Sequence, residues 1–208
     1  MIHSNIIMIW PPGSGKTSIW KQFAEDQGMN FVDFDDDVLE KINKKVAKLV
    51  IPRHRISDVR KIVCKKVKRI LASLWENDFM ELEKNLGMNL ELENTVLSTS
   101  WSLPLHPQVM QYLRETGLAV YIDIPNETIL QRMLSMQTDR IIGMQSKIDA
   151  WMTPEEALMT VLKERANVYE TCYDLKFKTD WLKSKEEIFK DFIDCFNQGF
   201  HWKGVWVA

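Results

Sequence analysis

Apolar residues recur along this chain in two rhythms. Short runs rich in β-branched and aromatic residues, Asn5–Trp10, Asn30–Phe34, Thr95–Thr99, Leu118–Ile124 and Asp174–Lys178, predict strands. Between them, spacings of three and four predict helices near 15–27, 36–49, 57–85, 106–116, 126–136, 154–171 and 185–196. The first run is apolar almost without alternation, as a strand covered on both faces must be. Five strands alternating with helices predict an α/β fold in three layers, a five-stranded parallel sheet between helices. His106–Pro107 and Thr153–Pro154 read as helix starts, and Thr153-Pro-Glu-Glu also sets acids at the positive end of the helix dipole. The acidic stretch 76–94, ENDFMELEKNLGMNLELEN, reads as a helix extension or surface insertion of structural role. Periodicity lapses over 137–152, around TDRIIGMQSKID.

The turn after the first strand brings in chemistry. IIMIWPPGSGKTSIWKQF joins a buried strand to a helix and carries all of G-x-x-x-x-G-K-[ST] but its first glycine, which is Trp10. The physical demands of a phosphate cradle fall on later positions. Gly13 and Gly15 can take positive φ and, with Ser14, turn peptide N–H groups inward; Lys16 can reach the outer phosphates; Thr17 can offer a hydroxyl to magnesium, followed by Ser18 in the first helical turn. Trp10 stands at the strand end, ahead of the cradle, so the motif reads as intact. In a nucleotide-dependent kinase the aperiodic 137–152 stretch is the place for a lid.

A second constellation follows strand two. In FVDFDDD, Asp33 and Asp35 are two apart, and in extended chain both carboxylates face one side. One can hold magnesium through water while the other orients or deprotonates an acceptor hydroxyl. The competing reading is a helix cap with acids at the dipole, which fits Asp36 and Asp37 best. Arg60 falls in SDVRKIVCKKVKRILASLW. There Lys61, Lys65, Lys68 and Arg69 take the solvated face, while Arg60 lies in line with Cys64, Val67 and Leu71 and needs an anionic partner.

Composition narrows the partners. With 208 residues the chain is one domain, 1–208. A net charge of -2 carries no nucleic-acid footprint, and the apolar runs are too short to span a membrane. Three well-separated cysteines, Cys64, Cys172 and Cys195, lack metal spacing and point to buried thiols in a reducing, cytoplasmic setting. The expected state is a monomer, with a dimer left open.

The order PPGSGKT, FVDFDDD, VLSTSWS, VYIDIP, TDRIIG and ERANVYETCYDLKFKTD resembles the shikimate kinase family, of the nucleoside monophosphate kinase-like P-loop fold. The resemblance covers most of the chain. It implies ATP and Mg2+ as cofactors and transfer of the γ-phosphate to a ring hydroxyl of a small hydroxy acid. It also implies Lys16 on the phosphates, Thr17 and Asp33 at the metal, and Asp35 at the acceptor hydroxyl. Arg140 becomes the lid arginine, with Arg60 and Arg165 on the acceptor carboxylate; Arg132 and Thr179, with Asp180, fall at the adenine. Two departures stand out. Ser100-Trp101-Ser102 replaces a Gly-rich acceptor turn, making Trp101 and Ser102 candidate acceptor contacts, with the indole filling, lining or leaving the pocket. Val63 stands where the family carries an acid beside its acceptor arginine. The alternatives are a kinase for another metabolite or a nucleoside monophosphate, and a nucleotide-binding protein without catalysis. The chain has no N-K-x-D guanine signature.

Overall fold

The computed structural model describes residues 5–11, 16–36, 76–135, 144–179 and 183–201. Its centre is β1, Asn5–Ile9, with all five residues buried. It is flanked by β3, Thr95–Ser98, and β4, Gly117–Asp123; β2, Asn30–Asp33, and β5, Leu175–Lys178, form the edges. Every pairing is parallel and the order is β2-β3-β1-β4-β5. The helices are α1 (Lys16–Asp26), α2 (Glu76–Met88), α3 (Pro107–Thr116), α4 (Asn126–Ser135), α5 (Met144–Asp149), α6 (Pro154–Tyr169) and α7 (Lys185–His201). A 3-10 turn at Leu103–Leu105 precedes α3.

Alternation sorts the strand residues into two cores. Ile6, Met8, Val96, Val120 and Ile122 pack with Trp20 and Phe23 of α1, Leu158 and Leu162 of α6, and Phe192 of α7. Ile7, Ile9, Leu97, Ala119 and Tyr121 pack on the other face with Leu86 of α2 and Val109 and Leu113 of α3. Both faces of β1 are therefore dry, which explains its unbroken apolar sequence.

Local chemistry sets the joints. After α1, Met29 N–H bonds Ala24 O at 2.8 Å and Gly28 N–H bonds Glu25 O at 3.1 Å, a Schellman closure that needs the Gly28 φ of 63°. Thr153 forms a capping box with Glu156 at the start of α6. Observed strand ends fall within one residue of those read from the sequence. Helices differ more: α7 runs on to His201, and α5 occupies part of the aperiodic 137–152 stretch.

Candidate functional site

The carboxyl ends of parallel strands open onto a crevice, and among the described candidates Asp33, Trp101 and Thr179 lie at or just beyond the ends of β2, β3 and β5. β1 ends at Ile9, and Trp10 and Pro11 are buried behind it. The Trp10 ring meets Trp20 edge-on at 5.5 Å, and Trp20 meets Phe192 at 4.5 Å. The indole thus leans into the core, which is why a bulky side chain is tolerated at the motif's first position. Gly13, Ser14 and Gly15 lie outside the described residues. Lys16, Thr17 and Ser18 are the first residues of α1, where backbone N–H groups have no intrahelical acceptor and the dipole favours an anion.

Across β3, the two aspartates depart from the expected arrangement. β2 stops at Asp33 and the chain is helical over 34–36, so Asp35 is not in extended backbone and alternation does not apply to it. Instead Asp33 Oδ1 accepts the Asp35 N–H at 3.2 Å, the bond of a helix N-cap. The N-cap is thus Asp33 and not Asp36, which lies within the helical turn; Asp37 lies outside the described residues. Phe31 packs against the α1-side core, so Asp33, two residues on in the strand, shares that face. Asp35 is exposed. Asp33 is in register with Ser98, whose fully buried hydroxyl has no hydrogen-bond partner among the described residues. Asp33 and the Ser98 hydroxyl offer oxygen alone, the donor type that suits a hard cation that keeps waters, as magnesium does.

The other side of the crevice centres on Arg165. This residue is only 4 % exposed, and its Nη1 donates to the Trp101 carbonyl at 3.0 Å. Its Cζ lies 4.0 Å from the centre of the half-buried Trp101 ring. Tyr169, one helical turn along α6, donates its hydroxyl to the same carbonyl. Burial pushes the Tyr169 phenol up to about 12, against the pull of the neighbouring Arg165. Burial likewise raises Tyr121 well above the usual range, helped by Asp123. Pro11, Tyr121, Asn126, Leu162, Arg165 and Tyr169 line a small crevice that joins this side to the end of β1.

Ser102 is not available in the way expected. It is buried, and its hydroxyl donates to Glu83 Oε1 at 2.7 Å, as does that of Ser100. Glu83 itself is wholly buried on α2. Thr179 is buried after β5, its N–H on Asp123 O at 3.4 Å and its hydroxyl without a hydrogen-bond partner among the described residues. Arg132 is half-buried in the last turn of α4. Arg60, Arg140 and Asp180 lie outside the described residues. Cys172 and Cys195 are free thiols, the first buried. Among the described residues no helix is long and apolar enough to cross a membrane.

Sequence reasoning missed Glu83 and Tyr169. Both carried a periodic signal. Glu83 interrupts the stripe Phe79, Leu82, Leu86, and Tyr169 stands four residues from Arg165 on one helix face.

Comparison with known proteins bears on the family and the fold. The family model described as shikimate kinase matches residues 57–197. The chain is 30% identical over 190 residues to threonine synthase-like 1 of Mus musculus, covering 91% of this chain and 22% of that protein. It is 26% identical over 189 residues to a shikimate kinase of Phocaeicola vulgatus, covering 89% of this chain and 92% of that one. The chain thus spans about a fifth of the threonine synthase-like relatives. The crystal structure of a shikimate kinase from Bacteroides thetaiotaomicron superposes with a TM-score of 0.64 at 21% identity, over 93% of this chain and 98% of that one. That likeness speaks to the fold.

Proposed function

The chain belongs to the shikimate kinase family, and we propose that it transfers the γ-phosphate of ATP to a hydroxyl of a small anionic acceptor, shikimate or a related hydroxy acid. The observation that carries this reading is the buried Arg165, set in the crevice wall at the same sheet edge as the start of α1. A cation so withdrawn from water recognises a carboxylate far better than an exposed one does.

In this reading Lys16 and the first amides of α1 bind the triphosphate, with Arg140 closing from the lid. Thr17 and Asp33 would hold magnesium, which when bound neutralises phosphate charge and orients the transferring group. Arg165 and Arg60 grip the acceptor carboxylate, turning a hydroxyl toward the phosphate. Asp35, exposed in the helical turn after β2, accepts the hydroxyl proton as the oxygen–phosphorus bond forms and ADP leaves. Arg132 and Thr179 border the adenine. Positioning and charge supply most of the rate, since phosphoryl transfer asks little covalent work of a protein.

One observation favours a second reading, nucleotide binding without transfer: the Trp101 indole covers Arg165 on one face. Measuring ADP release across shikimate, related hydroxy acids and nucleoside monophosphates separates the two, with Lys16→Met as the blank. The expected result is turnover above the blank with a hydroxy acid, and an Arg165→Lys variant whose acceptor KM rises while its ATP KM holds. If ATP binds and no acceptor exceeds the blank, transfer is excluded. A nucleoside monophosphate as best acceptor would replace the hydroxy acid.

A further inference from the structure

The acceptor-side turn rests on a buried carboxylate. Glu83 Oε1 accepts both the Ser100 and the Ser102 hydroxyl at 2.7 Å, and Ser100 Oγ in turn accepts the Leu103 N–H at 3.1 Å. The residues on either side of Trp101 are therefore clamped from beneath. Above the clamp, the Trp101 carbonyl receives Arg165 and Tyr169. Glu83 Oε2 and His106 Nε2 lie 3.8 Å apart, beyond hydrogen-bond reach, and neither has another hydrogen-bond partner among the described residues. Burying a carboxylate this deeply is costly, and replacing such a polar group together with its partners by apolar residues is often neutral for folding. Stability alone does not account for it.

We propose that Glu83 is a positioning residue of the acceptor site: its Oε1 pegs the Ser100–Trp101–Ser102 turn so that the Trp101 carbonyl aims the Arg165 guanidinium at the acceptor carboxylate. The peg replaces, with side-chain bonds, the close backbone approach that glycines would allow. This rests on the reading of Arg165 as the acceptor-binding cation.

The test uses the full chain and three variants: Glu83→Gln, Glu83→Leu, and Glu83→Leu combined with Ser100→Ala and Ser102→Ala. Glutamine keeps an acceptor oxygen for both hydroxyls, so its acceptor KM should stay near the parent's. The triple variant should melt near the parent and keep its ATP KM, while its acceptor KM rises about tenfold, the worth of one misplaced charged hydrogen bond. In Glu83→Leu, hydrogen exchange across residues 99–106 should quicken, and in Glu83→Gln it should not. An unchanged acceptor KM in the triple variant, a rise in ATP KM of equal size, or a glutamine variant as impaired as leucine overturns the proposal. Should the triple variant not fold, Ser102→Ala must show a smaller rise confined to the acceptor, and its absence overturns the proposal equally. Should the parent phosphorylate nothing, the kinase reading fails separately, and unaltered exchange in Glu83→Leu would still refute the peg.

Discussion

Gly87→Ala tests how α2 comes close enough to deliver Glu83. Gly87 lies one turn beyond Glu83 on the same face of α2, against α3 and the Leu103 turn. A Cβ built there meets Val109 Cγ1 at 2.5 Å, Leu103 Cδ1 at 3.0 Å and Val109 Cγ2 at 3.3 Å. Valine in a helix has one favoured rotamer, so Val109 cannot swing aside freely. Alanine should gain about 1 kcal/mol of helix propensity, against about 1–3 kcal/mol for overpacking. The net is a loss of roughly 0–2 kcal/mol, or a Tm lower by up to about 8 °C for a chain of this size. A double-mutant cycle sharpens the reading. Val109→Ala alone costs about 2 kcal/mol in buried methyls, but with Gly87→Ala it vacates the space the new methyl needs. The pair should therefore be more stable than the sum of the singles by about 1 kcal/mol or more. Urea midpoints of the four proteins provide the measurement. A Gly87→Ala protein more stable than the parent, or strict additivity, would refute the close approach.

Two further outcomes follow from the same geometry. Tyr169 is held neutral by burial, so unfolding releases a proton between its ordinary pKa near 10 and its folded value of about 12. Stability from this group is whole below pH 10 and lost as pH rises toward 12; urea midpoints across that range should fall less steeply in Tyr169→Phe, and parallel curves would contradict the burial argument. Thr153→Ala removes the capping box of α6 and should cost about 1 kcal/mol, seen as a Tm lower by about 2–4 °C. The Thr153 backbone N–H depresses Glu156, so this half of the cap is intact above the carboxylate range and weakens as pH falls through it; alanine at 153 keeps that N–H, so it is the Tm cost of Glu156→Ala that should shrink in acid, and a cost that stays constant would count against the bond.

How much was legible in the sequence depended on the kind of signal. Strand positions, the parallel sheet and the phosphate-loop context were readable because burial on both faces leaves an unmistakable apolar run, as at Asn5–Ile9. Asp33 and Asp35 were placed by strand alternation, which holds for Asp33 but not for Asp35, because β2 ends at Asp33 and the chain turns helical over 34–36. Glu83 was passed over because the charge of its segment suggested surface, whereas its place within an apolar stripe meant burial. The hydroxyl of Ser102 looked free for a ligand, but no local pattern reveals a partner 19 residues away on another helix. α5 is six residues long, too short for periodicity to declare itself.

The tryptophan at the strand end has a consequence for how the unit can be excised. Trp10 bears on Trp20, Trp20 on Phe192, and Phe192 on Phe23, Phe177 and Phe196. α7 is therefore a buttress for the segment that leads into the Gly13–Thr17 motif, though it contributes no candidate ligand. A boundary drawn ahead of Lys185, in this chain or in a longer polypeptide carrying the same unit, would strip an aromatic wall from the root of that motif.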